Sequence, residues 1–155
     1  MIRLLDNYPF DFVQLHGDED VAYCQALKSH LTKTQSPMSH GNKQAKIIKA
    51  FPVDAAFGFK SIVGFESVTD LFLFDTKGKL KGGNGTQFDW SILANYTGQN
   101  SFLLSGGIGP NDVENVQSFS HSKLIGIDLN SGFEIEPGIK NIESLQEFKN
   151  ALHYV

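Results

Sequence analysis

The chain has 155 residues, of which 41% are hydrophobic, 12% aromatic and 19% charged. A chain of this length and composition can bury a sizeable apolar core, which excludes intrinsic disorder. No apolar run approaches the roughly 20 residues that span a bilayer, and the N-terminus lacks the basic and apolar segments of a signal peptide. We therefore expect one globular domain over residues 1–155, located in the cytoplasm and without a membrane partner.

The charge balance and the cysteine content exclude several classes of binding site. The 13 Lys and Arg residues against 17 Asp and Glu residues give a net charge of −4, which provides no general attraction to nucleic acid. The single Cys can form neither an internal disulfide nor a Cys-based zinc site, and the five His residues share no motif. We expect no metal site, whereas backbone N–H groups could still hold a small anion.

Five short apolar runs recur along the chain, and their starts are separated by roughly 20 to 35 residues. Gly-rich or polar residues follow most of the runs, and stretches with helical spacing come next. This spacing is typical of strand–helix–strand units rather than of hairpins, so the sequence predicts a parallel α/β fold. The predicted strands are Phe12–Leu15, Ile47–Ala50, Leu71–Phe74, Phe102–Ser105 and Leu124–Ile127.

Capping residues and apolar stripes predict the helices between these strands. Asp18 is placed to cap a helix that ends near Leu31, and either Asn111 or Asp112 can start a helix that ends near Phe119. Asn141 precedes the final helix. Met1–Tyr8 is predicted to be the last part of a helix. Asp54 and Trp90–Leu93 mark two weaker helical segments. Ser29–Lys46 is predicted to be a polar surface insertion. The expected buried stripes are Val21, Cys24, Leu27 and Leu31 in one helix, and Ile142, Leu145 and Phe148 in the last.

The residues at the carboxyl ends of the strands carry most of the functional signal, because ligand sites of parallel β/α folds lie there. Two of these turns contain Ser105-Gly106-Gly107 and Ser131-Gly132. Glycine lets the backbone approach an anion closely and tolerates positive φ, so the two turns predict a phosphate site. The alternative is that both are ordinary turns between a strand and a helix.

Asp75 ends the apolar run Leu71–Phe74, which would place its carboxyl group at the rim of an apolar interior. Such a position suits a general acid. The alternative is a surface Asp that caps the following loop. His16 ends the first strand, where it could contact a ligand or form hydrogen bonds within the rim, and Cys24 is expected to be a core residue rather than a nucleophile.

The Gly-rich segment Lys81–Thr86 invites comparison with a nucleotide-binding P-loop. It lacks the Lys and the Ser or Thr after the final Gly, so we reject a nucleotide site. We interpret the segment instead as a mobile loop beside the active site, in which glycine supplies the freedom to move.

Several motifs, in a fixed order over nearly the whole chain, resemble the phosphoribosylanthranilate isomerase family of tryptophan biosynthesis. A set of motifs in order is far more specific than one Gly cluster. The matching segments are Val13–Glu19, Ile48–Phe51, Leu73–Thr76, Gly82–Trp90, Leu104–Val113, Gly126–Glu134 and Pro137–Lys140.

The resemblance implies a fold, an activity and a set of site residues. The family has an eight-stranded TIM (β/α)8 barrel and catalyses, without a cofactor, the Amadori rearrangement of N-(5'-phosphoribosyl)anthranilate, a small phosphorylated substrate. Asp75 would then be the general acid. The implied substrate-binding residues are His16, Asp128 and Gly83, and the implied phosphate-binding residues are Gly106, Gly107, Ser131 and Gly132.

Two parts of the family pattern have no counterpart in these residues. The family's general base is a Cys at the end of the first strand, and an Arg that binds substrate follows the second strand. Cys24 lies in a predicted helix and Arg3 precedes the first predicted strand, so neither residue can take these roles. We therefore expect a partial barrel of about five β/α units, equivalent to strands four to eight, which by itself lacks the base.

Such a partial barrel would expose two sheet edges, so self-association through them is expected. Two alternatives remain open. The chain could be a non-catalytic half-barrel that binds a phosphosugar, or it could belong to another phosphate-binding barrel enzyme such as indoleglycerol-phosphate synthase or ribulose-phosphate epimerase.

Overall fold

The computed structural model describes residues 2–33, 44–77 and 87–152. Strands and helices alternate along most of the chain, as the spacing of the apolar runs predicts. The α-helices and strands, in chain order, are α1 (Ile2–Asn7), β1 (Phe12–Leu15), α2 (Val21–Lys33), β2 (Lys46–Val53), β3 (Leu71–Thr76), β4 (Phe102–Leu104), α3 (Val113–Ser118), β5 (Leu124–Ile127), β6 (Glu134–Glu136), β7 (Ile139–Lys140) and α4 (Ile142–Ala151). Short 3₁₀ helices cover Phe59–Phe65, Trp90–Asn95, Pro110–Asp112 and Ser131–Phe133.

The first five strands form one sheet in the order β1-β2-β3-β4-β5. β1 and β2 are parallel, as are β4 and β5. All five predicted strands are confirmed, although β2 continues through Phe51 and Pro52 to Val53, where the sequence had suggested that the strand was over. β6 and β7 form a separate antiparallel hairpin that the sequence did not predict. Gly138, at φ +85°, lies in the turn between them.

By their internal contacts the described residues form two compact units. The first lies within residues 1–51, 58–73 and 98–101, and the second within residues 52–57, 74–97 and 102–155. In the part of the chain that the structure describes, no helix is long and apolar enough to cross a membrane.

The core of the first unit lies between α2 and the strands β1 and β2. Three residues of the predicted stripe of α2, Cys24, Leu27 and Leu31, are buried, but Val21 is 37% exposed and does not join them. The prediction that Asp18 caps this helix is wrong. Asp20 caps it, because its Oδ1 accepts a hydrogen bond of 2.7 Å from the backbone N–H of Tyr23, the third residue of the helix.

The helix also ends later than predicted, at Lys33, so the polar insertion is shorter than the predicted Ser29–Lys46. Residues 34–43 of that insertion lie outside the described ranges. After Asp54 the chain forms a turn rather than a helix, in which the Asp54 carboxylate accepts a hydrogen bond from the N–H of Ala56. The predicted helical segment at Trp90 is a 3₁₀ helix capped by Asp89.

The core of the second unit is largely aromatic. The Phe74 ring centroid lies 5.3 Å from that of Tyr96 and 5.1 Å from that of Phe102. These separations are within the range of favourable edge-to-face and tilted aromatic pairs. Because Phe74 is the residue before Asp75, this packing fixes the strand that carries the candidate acid.

The last helix of the second unit begins as predicted. The Asn141 side chain accepts a hydrogen bond from the N–H of Ser144, which is the geometry of an N-cap. Phe148 is buried and packs against Phe133, with 5.0 Å between the ring centroids. Ile142 is 61% exposed, however, so the predicted buried stripe is wrong at its first position.

Candidate acid and phosphate site

Three neighbouring strand ends of the second unit bring polar residues together. The backbone N–H of Ser105, just after β4, donates to the carbonyl of Phe74 in β3 at 2.8 Å. The N–H of Asp128, just after β5, donates to the carbonyl of Leu104 at the same distance. Asp75, Ser105 and Asp128 therefore stand on adjacent strands at the same edge of the sheet.

Asp75 is part of β3 rather than of the loop that follows it, and its side chain is half-buried. Its Oδ1 accepts a hydrogen bond of 2.8 Å from the backbone N–H of Thr76. The same oxygen lies 2.9 Å from the point that a Cβ on Gly106 would occupy. The carboxyl group thus rests directly against the first glycine turn.

The first turn requires glycine at two positions for geometric reasons. Gly106 and Gly107 have φ angles of +92° and +70°, which L residues with a side chain rarely adopt. A Cβ on Gly106 would also lie 2.3 Å from the hydroxyl oxygen and 2.4 Å from the backbone nitrogen of Thr76. The backbone of this turn therefore approaches the end of β3 more closely than any other residue type would allow.

The second turn contacts the first. A Cβ on Gly132 would lie 2.2 Å from the carbonyl oxygen of Ile108 and 3.1 Å from the Cα of Gly109. Ser131 begins the 3₁₀ helix of this turn and is half-buried. The structure thus brings together the two turns that the sequence singled out.

Asp128 has a partner that sequence reasoning missed. The hydroxyl group of Ser105, a residue only 5% exposed, donates to Asp128 Oδ2 at 2.9 Å. The pattern Leu-Leu-Ser-Gly-Gly contains no feature that assigns this bond in advance. The contact fixes the orientation of the Asp128 carboxylate beside the first turn.

His16 lies in the first unit, directly after β1, and its side chain is exposed. Its Nδ1 forms a hydrogen bond of 3.1 Å with the side-chain nitrogen of Gln14, two residues earlier in the strand. The sequence left open whether His16 contacts a ligand or forms hydrogen bonds within the rim, and the structure provides one such bond.

A buried lysine holds the loop that follows His16. Lys49 in β2 is 3% exposed, and its ammonium group donates to the carbonyl of Gly17 at 2.8 Å and to the carboxylate of Glu19 at 3.2 Å. The Glu19 carboxylate also accepts from the N–H of Gly17 at 3.0 Å. Sequence reasoning missed this pair, although a lysine inside the apolar run Ile-Ile-Lys-Ala-Phe was a signal for it.

This pair predicts a pH-dependent contribution to stability. Partial burial alone would raise the pKa of Glu19, but backbone hydrogen bonds and the Lys49 ammonium outweigh that effect and lower the pKa below its ordinary value of 4.5. A depressed carboxylate pKa stabilises the folded state above the unfolded-state value, and the stabilisation is lost as the pH falls through the folded-state value.

We expect Glu19→Gln to lower the free energy of unfolding by about 1–3 kcal/mol at pH 7, because it leaves the Lys49 charge buried without its counter-ion. The difference from the wild type should shrink as the pH falls below 4.5. Urea unfolding at several pH values between about 3 and 7 measures this. A difference that stays constant over that range would contradict the role of the carboxylate charge.

Two candidate residues remain, Cys24 and Gly83. Cys24 lies in α2 and is fully buried, and burial raises the pKa of its thiol, as expected of a core residue. Within residues 2–33, 44–77 and 87–152, no group of three or more His, Cys, Asp or Glu side chains could hold a metal ion. The predicted substrate-binding residue Gly83, with the whole Gly-rich segment Lys81–Thr86, lies outside the described residues.

A parallel β/α sheet with glycine turns and a carboxyl group at its carboxyl edge is typical of TIM-barrel enzymes that bind phosphorylated substrates. Comparison with known proteins narrows this class. The family model described as N-(5'phosphoribosyl)anthranilate (PRA) isomerase matches residues 1–151. The chain belongs to this family.

Curated relatives bear the same name. An N-(5'-phosphoribosyl)anthranilate isomerase of Parabacteroides distasonis is 42% identical over 148 residues, which is 96% of this chain and 61% of that protein. A second, from Phocaeicola vulgatus, is 37% identical over 90% of this chain and 62% of that protein. The chain therefore spans about three fifths of the length of these relatives.

Solved structures show the likeness in fold. The crystal structure of phosphoribosyl anthranilate isomerase from Thermus thermophilus matches this chain with a TM-score of 0.66 and 23% sequence identity. The match covers 92% of this chain and 60% of the Thermus thermophilus chain. The crystal structure of monomers generated from the dimeric phosphoribosylanthranilate isomerase of Thermotoga maritima matches with a TM-score of 0.65 and 22% sequence identity. This match covers 94% of this chain and 61% of the Thermotoga maritima chain. The fold is accordingly an α/β fold of the TIM-barrel type.

Proposed function

We propose that this chain carries the acid and phosphate sites of an N-(5'-phosphoribosyl)anthranilate isomerase, an enzyme of tryptophan biosynthesis. The reaction is an Amadori rearrangement, which converts the aldosylamine into a ketosamine. The single observation that carries the proposal is the close approach of the Asp75 carboxyl group to the turn at Gly106. A Cβ added to Gly106 would lie 2.9 Å from Asp75 Oδ1. It puts a proton donor and a backbone suited to an anion within one small region.

In the proposed mechanism, Asp75 donates its proton to the ring oxygen of the ribose. The bond from that oxygen to C1 breaks, and a Schiff base forms between C1 and the anthranilate nitrogen. A general base then removes the proton from C2, which gives an enolamine that tautomerises to the ketosamine. The half-buried position of Asp75 at the strand end supports the first step, since a general acid must lie within hydrogen-bond reach of the atom that it protonates.

The phosphate would bind to the backbone of the two glycine turns. Gly106 and Gly107 at positive φ, together with Ser131 and Gly132 of the second turn, form the proposed site. The contact of Gly132 with the backbone of Ile108 supports it, because both turns can then contribute N–H groups to one anion. Backbone donors bind phosphate without a lysine or arginine, which fits the chain's net charge of −4.

We assign substrate binding to three further residues. Asp128, oriented by the Ser105 hydroxyl, offers a polar side chain for the rest of the substrate, and His16 is assigned to substrate binding from the sequence resemblance. Gly83 is assigned to the same role from the sequence resemblance alone.

We further propose that β1 to β5 are strands four to eight of an eight-stranded barrel. Five of eight strands is close to the 61% of the Parabacteroides distasonis protein that the chain spans. The family's cysteine base has no counterpart among these five β/α units, because the thiol of Cys24 is buried in α2. A polypeptide of these 155 residues alone should therefore bind phosphate but turn over little substrate.

Titration of the ¹⁵N-labelled 155-residue polypeptide with inorganic phosphate tests this proposal. We expect saturable shifts of the amide signals of Gly106, Gly107, Ser131 and Gly132, and no measurable conversion of N-(5'-phosphoribosyl)anthranilate. Amide shifts confined to other residues would contradict the phosphate site. Rapid conversion of N-(5'-phosphoribosyl)anthranilate would contradict the proposal that these residues lack the general base. Turnover of ribulose 5-phosphate by a barrel completed with the N-terminal part of a relative would favour an epimerase instead.

A further inference from the structure

Two residues next to the Gly-rich segment connect the end of β3 with the first glycine turn. The backbone N–H of Phe88, a residue 8% exposed, donates to the hydroxyl oxygen of Thr76 at 3.2 Å. The side-chain nitrogen of Gln87 donates to the carbonyl oxygen of Gly107 at 3.1 Å. The dipeptide Gln87-Phe88 therefore contacts both the strand that carries Asp75 and the turn at Gly107.

Gln87 also influences a carboxylate that follows the same turn. Its side chain helps to lower the pKa of Asp112. The Asp112 carboxylate accepts hydrogen bonds from the backbone N–H of Gly109 at 2.8 Å and from the side-chain nitrogen of Asn115 at 3.1 Å. Partial burial would raise the pKa of Asp112, but these hydrogen bonds outweigh it and lower the pKa, so the group remains an anion that attracts the Gln87 amide.

The contact with Gly107 determines the direction of a backbone donor. In a trans peptide the carbonyl and the N–H of one peptide unit point in opposite directions, and none of the described peptide bonds is cis. Holding the Gly107 carbonyl therefore aims the N–H of Ile108 away from Gln87. Two consecutive glycines are otherwise among the most mobile backbone units, so an external contact is needed to keep one orientation.

We propose that Gln87 is a positioning residue that pre-orients the first glycine turn for phosphate. The inference rests on the proposed function, since it presumes that this turn binds the phosphate group of the substrate. Gln87 does not touch the anion itself. It acts through the carbonyl of Gly107 and through Asp112, which in turn holds the N–H of Gly109.

The test compares phosphate binding by the wild type with binding by Gln87→Met. Methionine has nearly the same length as glutamine and no charge, but it has no N–H donor. We expect inorganic phosphate to bind about 3- to 10-fold more weakly, which is the usual effect of losing one neutral hydrogen bond such as that to the Gly107 carbonyl. The amide signals of Ile108 and Gly109 should shift even without phosphate.

Gln117→Met is the matched control. Gln117 is also exposed, and its side-chain nitrogen also donates to a backbone carbonyl, that of Ala151, at 3.0 Å. This variant should bind phosphate as tightly as the wild type. Urea unfolding without phosphate should give both variants similar free energies of unfolding, so that a loss of binding cannot be assigned to a loss of stability.

The outcomes separate this inference from the proposed function. If the wild type binds phosphate at the glycine turns and Gln87→Met binds it equally well, Gln87 has no positioning role and only the inference fails. If the wild type shows no phosphate binding at these turns, the proposed function fails and the inference fails with it. Weaker binding by Gln87→Met together with unchanged Ile108 and Gly109 signals would also contradict the proposed route through the backbone.

Discussion

Replacing Asp75 by Asn should lower kcat by about 100-fold or more, because the amide cannot donate a proton to the ribose ring oxygen as a carboxylic acid does. Asn keeps the shape of Asp, and its side-chain oxygen can still accept the hydrogen bond that the N–H of Thr76 gives to Oδ1 at 2.8 Å. The strand end should thus remain intact, and phosphate binding should change little.

The measurement needs an active barrel. We would join these residues to the N-terminal part of the Parabacteroides distasonis relative, which is 42% identical to this chain, and follow turnover of N-(5'-phosphoribosyl)anthranilate. Asp54→Asn is the control, because Asp54 is an exposed carboxylate at the end of β2 that pairs with Lys77 at 2.6 Å. Its kcat should stay within a factor of about two. An unchanged kcat in Asp75→Asn would remove Asp75 from the mechanism.

The strands and most of the helices could be predicted because their signals are local. An apolar run of four or five residues between Gly-rich turns defines a buried strand, and the Asn141 cap defines the start of α4. The errors arise where two residues compete for one role. Asp18 and Asp20 both suit a helix start, and the hydrogen bond from the N–H of Tyr23 to the Asp20 carboxylate shows that Asp20 caps it.

Burial was predicted less well, since it depends on which neighbour covers a residue. Val21 and Ile142 lie at helical spacing from buried residues, yet they are 37% and 61% exposed. Periodicity identifies the apolar face of a helix but not how far along that face the contact extends. The hairpin of β6 and β7 was missed for a related reason, because strands of three and two residues carry almost no pattern.

The site could be predicted in its residue types but not in its contacts. Asp75 and the two glycine turns stand out in the sequence, because strand ends and glycines mark the ligand edge of a parallel sheet. The bonds from Ser105 to Asp128 and from Gln87 to Gly107 join residues more than 15 positions apart. Such bonds depend on how adjacent strand ends come together, which no local pattern contains.

Replacing Gly106 by Ala should lower the free energy of unfolding by about 3 kcal/mol or more and abolish phosphate binding at the first turn. A side chain at φ +92° costs about 1–2 kcal/mol by itself. The added methyl group would also lie 2.4 Å from the backbone nitrogen of Thr76, which cannot rotate away as a side chain can. The turn or the end of β3 must move, and Asp75 lies at that end.

Two other glycines separate these contributions. Gly138 also has a positive φ, +85°, but an added Cβ would meet nothing within 4 Å, so Gly138→Ala should cost only the backbone term of about 1–2 kcal/mol. Gly58 has neither constraint, with φ at −108°, and Gly58→Ala should change stability by less than about 0.5 kcal/mol. Urea unfolding gives the three free energies, and the phosphate titration gives the affinities. If Gly106→Ala cost no more than Gly138→Ala, the close approach of the turn to Thr76 would not be part of the folded protein, and the proposed contact between acid and phosphate turn would lose its basis.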